Sequence, residues 1–283
     1  MIEFFIPLAD WINVIFEVVN YHISPAMRSF SSFLEILIKQ FEMTLLWPPE
    51  SVIIIIVGLI IWRLAGIRLA IFAVLGLLTT FGMGIWKETM STIALAVSGT
   101  IMSLIFGVPL GIIASQSDRA EKILRPILDF MQTLPSFVYL IPAVMFFGMG
   151  KVAALAATMI FAMPPAVRLT NLGIREVSRE MVEAARAFGS SRGQTLIDVQ
   201  LPLALPTIMA GVNQCIMMSL AMTVIASMIG AGGLGLVVLR SMQTLDIGMG
   251  TVGGLGIVIL AVILDRLTEN IAKNQEVRKS LNN

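Results

Sequence analysis

A polar, mostly helix-forming island interrupts this largely apolar chain between Glu183 and Pro202, EAARAFGSSRGQTLIDVQLP. It offers no nucleophile–base pair and no metal-ligand set, since no histidine or cysteine stands among its residues. Ser178 can N-cap a helix on which Met181, Ala184, Ala185 and Phe188 recur at helical spacing, with Glu180 in the favourable first turn. Gly189 then tolerates a left-handed turn, and Ser191 followed by Gln194 has the form of a capping box that starts a second helix. Pro202 and Pro206 are expected to prevent a plain continuation and to open a new apolar run. The whole is a helix–turn–helix elbow.

Elsewhere the sequence withholds most reactive combinations. Cys215 is the single cysteine and lies in an apolar segment, which excludes a disulfide framework and a thiolate zinc site. His22 is the single histidine, so no metalloprotease pair exists. The nearest approach to a phosphate-binding loop, Gly150-Lys151-Val152, has Met145 in place of the upstream glycine and lacks the following Ser or Thr. A net charge of +1 argues against nucleic acid. At 57% hydrophobic and 13% charged residues, with mean hydropathy +0.90, the composition is that of an integral membrane protein. The polar elbow must therefore stand in water between two membrane segments.

Glu183-Ala184-Ala185, three residues, Gly189, nine residues, then Val199-Gln200-Leu201-Pro202 resembles the EAA loop of permease subunits of binding-protein-dependent ABC importers. Val199 replaces the isoleucine usual there, a change of one methylene. The runs Asp129-Phe130-Met131-Gln132-Thr133-Leu134-Pro135, Phe137 to Pro142, and Ala162 to Arg168 resemble the glycine betaine/proline betaine permeases in particular. The resemblance implies an all-α polytopic bundle with a five-helix type I importer core. It implies that Glu183, Ala184, Ala185, Gly189, Leu201 and Pro202 form a cytoplasmic coupling surface for a separate ATPase subunit. Nucleotide and Mg would then belong to two ATPase partners, with no cofactor and no catalysis in this chain. A second permease subunit, most simply a second copy, and an extracytoplasmic substrate-binding protein complete the implied assembly in the bacterial cytoplasmic membrane. The implied cargo is a small quaternary-amine osmolyte taken up for osmoprotection.

The elements that must position the elbow read as about seven spans. Residues 1–47 form an amphipathic N-terminal region, with Glu35, Lys39 and Glu42 between the apolar positions of Phe30–Leu45, better suited to lie on a membrane or against other helices than to span. Residues 48–88 hold two accessory spans, 89–270 the permease core with its elbow at 176–202, and 271–283 a cytoplasmic tail. Within the core, spans are expected at 89–115, 126–150, 152–168, 203–229 and 247–265, each near the 20 or so residues a bilayer requires. The cluster Asp118 to Arg125 is expected to precede the fourth span as a charged stretch. Gly230 to Gly235 reads as a flexible outer turn, and its formal match to a dinucleotide fingerprint lacks the strand such a site requires. With the elbow placed in the cytoplasm, most of the 19 basic residues fall inside, among them Arg63, Arg119, Lys122, Arg168 and Arg192, and the N-terminus lies outside.

Candidates for the translocation path are few. Asn213 and Gln214 fall near mid-membrane on this reading, either lining the path or hydrogen-bonded between helices. Phe137, Tyr139 and Phe146 offer ring faces to a cation. The rival function, an ion-coupled carrier or osmotic release channel, lacks an acid within a span, since Asp129 and Asp265 both fall at span ends.

Overall fold

The computed structural model describes residues 7–281, and every element among them is helical. In chain order these are α1 (Leu8–Leu46), α2 (Glu50–Ala65), α3 (Ile67–Gly82), α4 (Trp86–Gln116), α5 (Asp118–Thr133), α6 (Leu140–Phe147), α7 (Lys151–Arg175), α8 (Arg179–Ala187), α9 (Arg192–Gln194), α10 (Leu201–Ala226), α11 (Gly233–Thr244) and α12 (Ile247–Leu281). Four stretches, α4, α7, residues 192–229 and α12, are by themselves long and apolar enough to cross a membrane, and up to six if each of two sharply bent pairs counts as one span. The accessory helices α2 and α3 lie where two spans were expected but have only 16 residues each, short of a straight crossing.

The centre of the bundle is a seam of small residues. A Cβ on Gly99 would meet Thr158 Cγ2 at 2.5 Å, one on Gly107 would meet Ala166 Cβ at 2.9 Å, and one on Gly111 would meet the Val167 carbonyl at 2.7 Å. These glycines let α4 and α7 approach to backbone contact, where dispersion and Ser103 Oγ donating to the Met159 carbonyl at 2.9 Å hold them. The contacts also fix direction. Numbers rise together along both helices, so α4 and α7 run parallel. The chain between them, 117–150, must therefore return across the bundle. Helix α10 runs antiparallel to α7, with Gly211 against Leu169 and Cys215 donating to the Ala162 carbonyl.

That return is the least regular part of the fold. Instead of one span at 126–150, α5 begins at Asp118 and takes the whole charged cluster into its first two turns, capped by Ser117. It ends at Thr133 because Leu134 and Pro135 are extended, and a 3₁₀ turn (Ser136–Tyr139) leads into α6 at 108° to α5. The sixth span differs in the opposite sense. The helix runs unbroken from Arg192 to Ile229, so Pro202 and Pro206 do not interrupt it. A π-helical segment, Thr195–Gln200, widens the turn just before Pro202, which then sits in the first turn of α10 where its missing N–H matters least.

The N-terminal amphipathic stretch lies against the core. Leu34 and Ile38 are buried with Leu95, Leu140 and Ala153, Phe30 meets Phe147, and Glu42 pairs with Lys151. The turn at Gly230–Gly235 is packed, not flexible. Ala231 and Leu234 are buried, the Leu234 N–H is capped by Thr92 Oγ1 of α4 at 2.8 Å, and a Cβ on Gly235 would strike the Val224 carbonyl at 2.5 Å. Gly230, Gly232 and Gly233 all have positive φ, the conformation their lack of a side chain permits.

Candidate functional site: the polar elbow

Two local motifs close the elbow with almost no help from the rest of the protein. At the end of α8 the Ser190 N–H bonds the Ala185 carbonyl at 3.1 Å and the Gly189 N–H bonds the Arg186 carbonyl at 2.9 Å, the paired bonds of a Schellman turn. Gly189 makes this possible with φ +87°. One residue on, Ser191 Oγ accepts from the Gln194 N–H at 3.4 Å while the Gln194 side chain accepts from the Ser191 N–H at 2.9 Å, a complete capping box. Ser178 occupies the N-cap position of α8 but makes no side-chain cap bond, so that helix start is not secured as expected.

The predicted coupling residues divide into a presented set and an anchoring set. No residue of α8 is buried; Glu183 and Ala184 are exposed, Met181 is half exposed, and Phe188 is 93% exposed. Phe188 thus presents exposed apolar surface at the end of a turn closed by its own hydrogen bonds. Leu201, by contrast, packs with Val177 and Leu196 against buried Ile174, Ala204 and Ile208, tying the second half of the elbow to α7 and α10. Pro202 is half-buried beside it.

The path candidates do not converge within one chain. Asn213 donates to Asp265 Oδ1 at 3.0 Å and accepts from Thr268 Oγ1, so both ends of its amide are engaged with α12. The pairing also corrects its depth. Asp265 follows an uncharged run of 18 residues from Ile247, about 27 Å of helix, so Asn213 sits level with the elbow end of that run and not at mid-membrane. Gln214, next along α10, is exposed. Phe137 is 58% exposed while Tyr139 is buried, edge-on to Phe161 at 5.7 Å with its hydroxyl on the Met131 carbonyl, and Phe146 leans on Phe147.

Sequence reasoning missed why Tyr139 is there. In an unbroken helix the Met131 carbonyl would accept from residue 135, and Pro135 has no N–H; the tyrosine hydroxyl replaces it. Gln132 likewise reaches the Phe161 carbonyl at 3.4 Å, which Pro165 leaves without its helical donor. A proline four residues after a carbonyl, with a polar side chain nearby, was the available signal. Also missed was Arg175, whose contacts join three helix ends beside the elbow.

Comparison with known proteins agrees with this architecture. The model of the binding-protein-dependent transport system inner membrane component family matches residues 107–277. The chain is 46% identical over 273 residues to the glycine betaine/proline betaine transport system permease protein ProW of Escherichia coli strain K12, covering 96% of this chain and 77% of that protein. It is 46% identical to the glycine betaine/carnitine transport permease protein GbuB of Listeria monocytogenes over 95% of this chain and 96% of that protein. To the glycine betaine transport system permease protein OpuAB of Bacillus subtilis it is 41% identical, over 96% and 97%. In fold it is similar to a chain of the inward-facing MetNI methionine ABC transporter, with TM-score 0.61 over 65% of this chain and 93% of that one at 19% identity. A parallel glycine seam, a broken return span and a capped, unpartnered elbow thus sit in a multi-pass inner-membrane chain that belongs to the family of binding-protein-dependent transport system inner membrane components.

Proposed function

We propose that this chain is the permease subunit of an ATP-driven importer of glycine betaine, proline betaine or a closely related quaternary amine. The observation that carries the coupling half of this reading is the elbow, which offers Phe188, Met181 and Ala184 to solvent on a turn closed by its own hydrogen bonds. Such a surface serves as a rigid plug for a groove on an ATPase subunit, which supplies the nucleotide chemistry. The substrate half rests on the relatives, whose names specify betaines, and on compatible physics. A methylated ammonium donates no hydrogen bonds and is best passed by aromatic and apolar surface. Exposed Phe137, Gln214 and Met217 would line a path at the seam with a second copy, since they reach no common cavity in one chain. The elbow and C-terminus face the cytoplasm and an extracytoplasmic binding protein delivers the substrate.

The experiment is uptake of labelled glycine betaine by cells lacking other osmolyte importers, with this chain and its genetic neighbours expressed at low and high osmolarity. ATP-dependent betaine accumulation and an ATPase that co-elutes with the chain are the expected results. Uptake of a sugar or amino acid without a betaine signal would sink the substrate; uptake with no ATP requirement would sink the coupling role. Glu183→Lys should lower or uncouple ATP hydrolysis while the chain still inserts.

A further inference from the structure

Arg175 is the last residue of α7, four positions before α8 begins. Its guanidinium is spent in three directions. Nη1 reaches Asp118 Oδ1 at 2.8 Å and Nη2 lies 3.2 Å from Glu121 Oε2, both in the first turn of α5. Nη2 also donates to the Ala114 carbonyl at 3.0 Å, in the last turn of α4, where helical carbonyls lack partners. Nε donates to Asn171 Oδ1 at 3.0 Å, and Asn171 in turn donates to Glu121 at 3.4 Å. One planar fork thus binds the end of α4, the start of α5 and the end of α7.

Packing around this fork is thin. Leu128 is the only buried residue of α5, and Ile123, Ile127 and Phe130 are half or more exposed. A half-open groove of about 360 Å³ separates α5 from α7, lined by Leu124, Leu128, Val167 and Arg175 among others. Helix α5 is therefore held to α7 chiefly by polar contacts: Arg175 at its start and Arg168 to Asp129 at 2.7 Å further along. With so little apolar packing, α5 is tied to α7 by Arg175 at its start, Arg168 along it and Gln132 at its end, and the first of these belongs to the residue nearest the elbow.

We propose that Arg175 is a positioning residue of the transport cycle, making the start of α5 follow the elbow so that motion imposed on α8 reaches the broken span α5–α6. This rests on the ATP-driven importer reading above. Lysine cannot replace the role fully, because an ammonium has no fork with which to hold Asp118, Glu121 and Ala114 together.

The test uses the complete transporter, with its ATPase subunits and binding protein, in proteoliposomes. An environment-sensitive fluorophore is placed on α5 at Ile123→Cys in a Cys215→Ala background, and its emission is followed on adding ATP alongside betaine uptake and ATP hydrolysis. In the otherwise unmutated complex ATP shifts the emission. Arg175→Gln abolishes the shift and lowers uptake per ATP hydrolysed by about tenfold or more, Arg175→Lys restores part of both, and Arg168→Gln keeps the shift. An unchanged shift and uptake ratio in Arg175→Gln would overturn the relay alone. Should Arg175→Gln not assemble, the pair Asp118→Asn and Glu121→Gln removes the α5 half of the fork and leaves Arg175 on Ala114 and Asn171; a retained shift there overturns the proposal equally. Absence of ATP-dependent betaine uptake before any Arg175 change would overturn the importer reading, and the relay with it.

Discussion

The elbow and the broken span both interrupt helices at a proline- or glycine-marked turn, yet they are built on opposite principles. The elbow satisfies its backbone within the ten residues from Ala185 to Gln194. Ser190, Gly189, Ser191 and Gln194 close it by bonds to neighbours three to five positions away. The break between α5 and α6 satisfies its backbone by reaching: Tyr139 returns to Met131, and Gln132 crosses to Phe161 on another helix. No residue of α8 or α9 is buried, so a missed cap there finds a solvent partner. At the broken span the closing residue, Tyr139, is buried, and an orphaned carbonyl beside it finds no solvent partner. The difference teaches that an exposed joint can be self-sufficient, whereas a buried one must borrow from the fold around it.

The sharpest way to break the comparison is Gly189→Val. A β-branched residue at φ +87° costs about 1–3 kcal/mol locally and would re-aim both halves of the elbow. Betaine uptake should fall by more than about tenfold while membrane insertion is unchanged, a misplacement effect of the kind geometry-dependent steps show. Normal uptake with normal ATPase association would mean the elbow is not the coupling surface.

Tyr139→Phe tests the buried joint. It keeps the ring against Phe161 and removes only the hydroxyl, so the Met131 carbonyl loses its donor at a cost of about 1–3 kcal/mol. Thermal unfolding in detergent should shift down by several degrees, on the order of the 2–4 °C per kcal/mol of a chain this size. Phe137→Leu, on an exposed ring of the same turn, should leave the midpoint within error. Equal effects from both would show that the hydroxyl contributes nothing.

Ser191→Ala removes one capping oxygen in water and should cost less, about 0.5–2 kcal/mol of local stability. Faster amide exchange confined to residues around α9, with global stability retained, is the expected signature. If the global midpoint drops as far as in Tyr139→Phe, the elbow is not the independent unit argued here.

The mildest perturbation concerns sidedness. Single cysteines in a Cys215→Ala background at Ser117 and Ser191 should react only from the cytoplasmic side, and at Ser51 and Thr244 from outside. Outside labelling at Ser191 would invert the orientation and remove the elbow from reach of any cytoplasmic ATPase.

How much was legible follows the same division. Gly189, Ser191 and Gln194 could be read directly because their partners lie within one helical turn, a distance that spacing encodes. The membrane class, the all-helical fold and the polar elbow were readable for the same reason: composition and local periodicity carry them. The depth of Asn213 was misread, because depth depends on Asp265 and Thr268, more than fifty residues away. The expected break at Pro202 and Pro206 failed because the π-helical turn that accommodates Pro202 has no recognisable local signature here.

What the sequence by itself determined is therefore the all-helical membrane class and the joint between α8 and α9, whose hydrogen bonds close inside their own segment. Alternating spans at 89–115, 126–150 and 152–168 already imply a parallel pair with a return between. Only the tertiary structure decided that α4 and α7 meet directly along a glycine seam, that the return breaks into α5 and α6, and that Arg175 binds three helix ends. Those outcomes depend on which surfaces meet at Gly99, Gly107 and Gly111 and on side chains that cross between helices. Contacts between distant parts of a chain follow from how whole helices pack, and no local spacing records them.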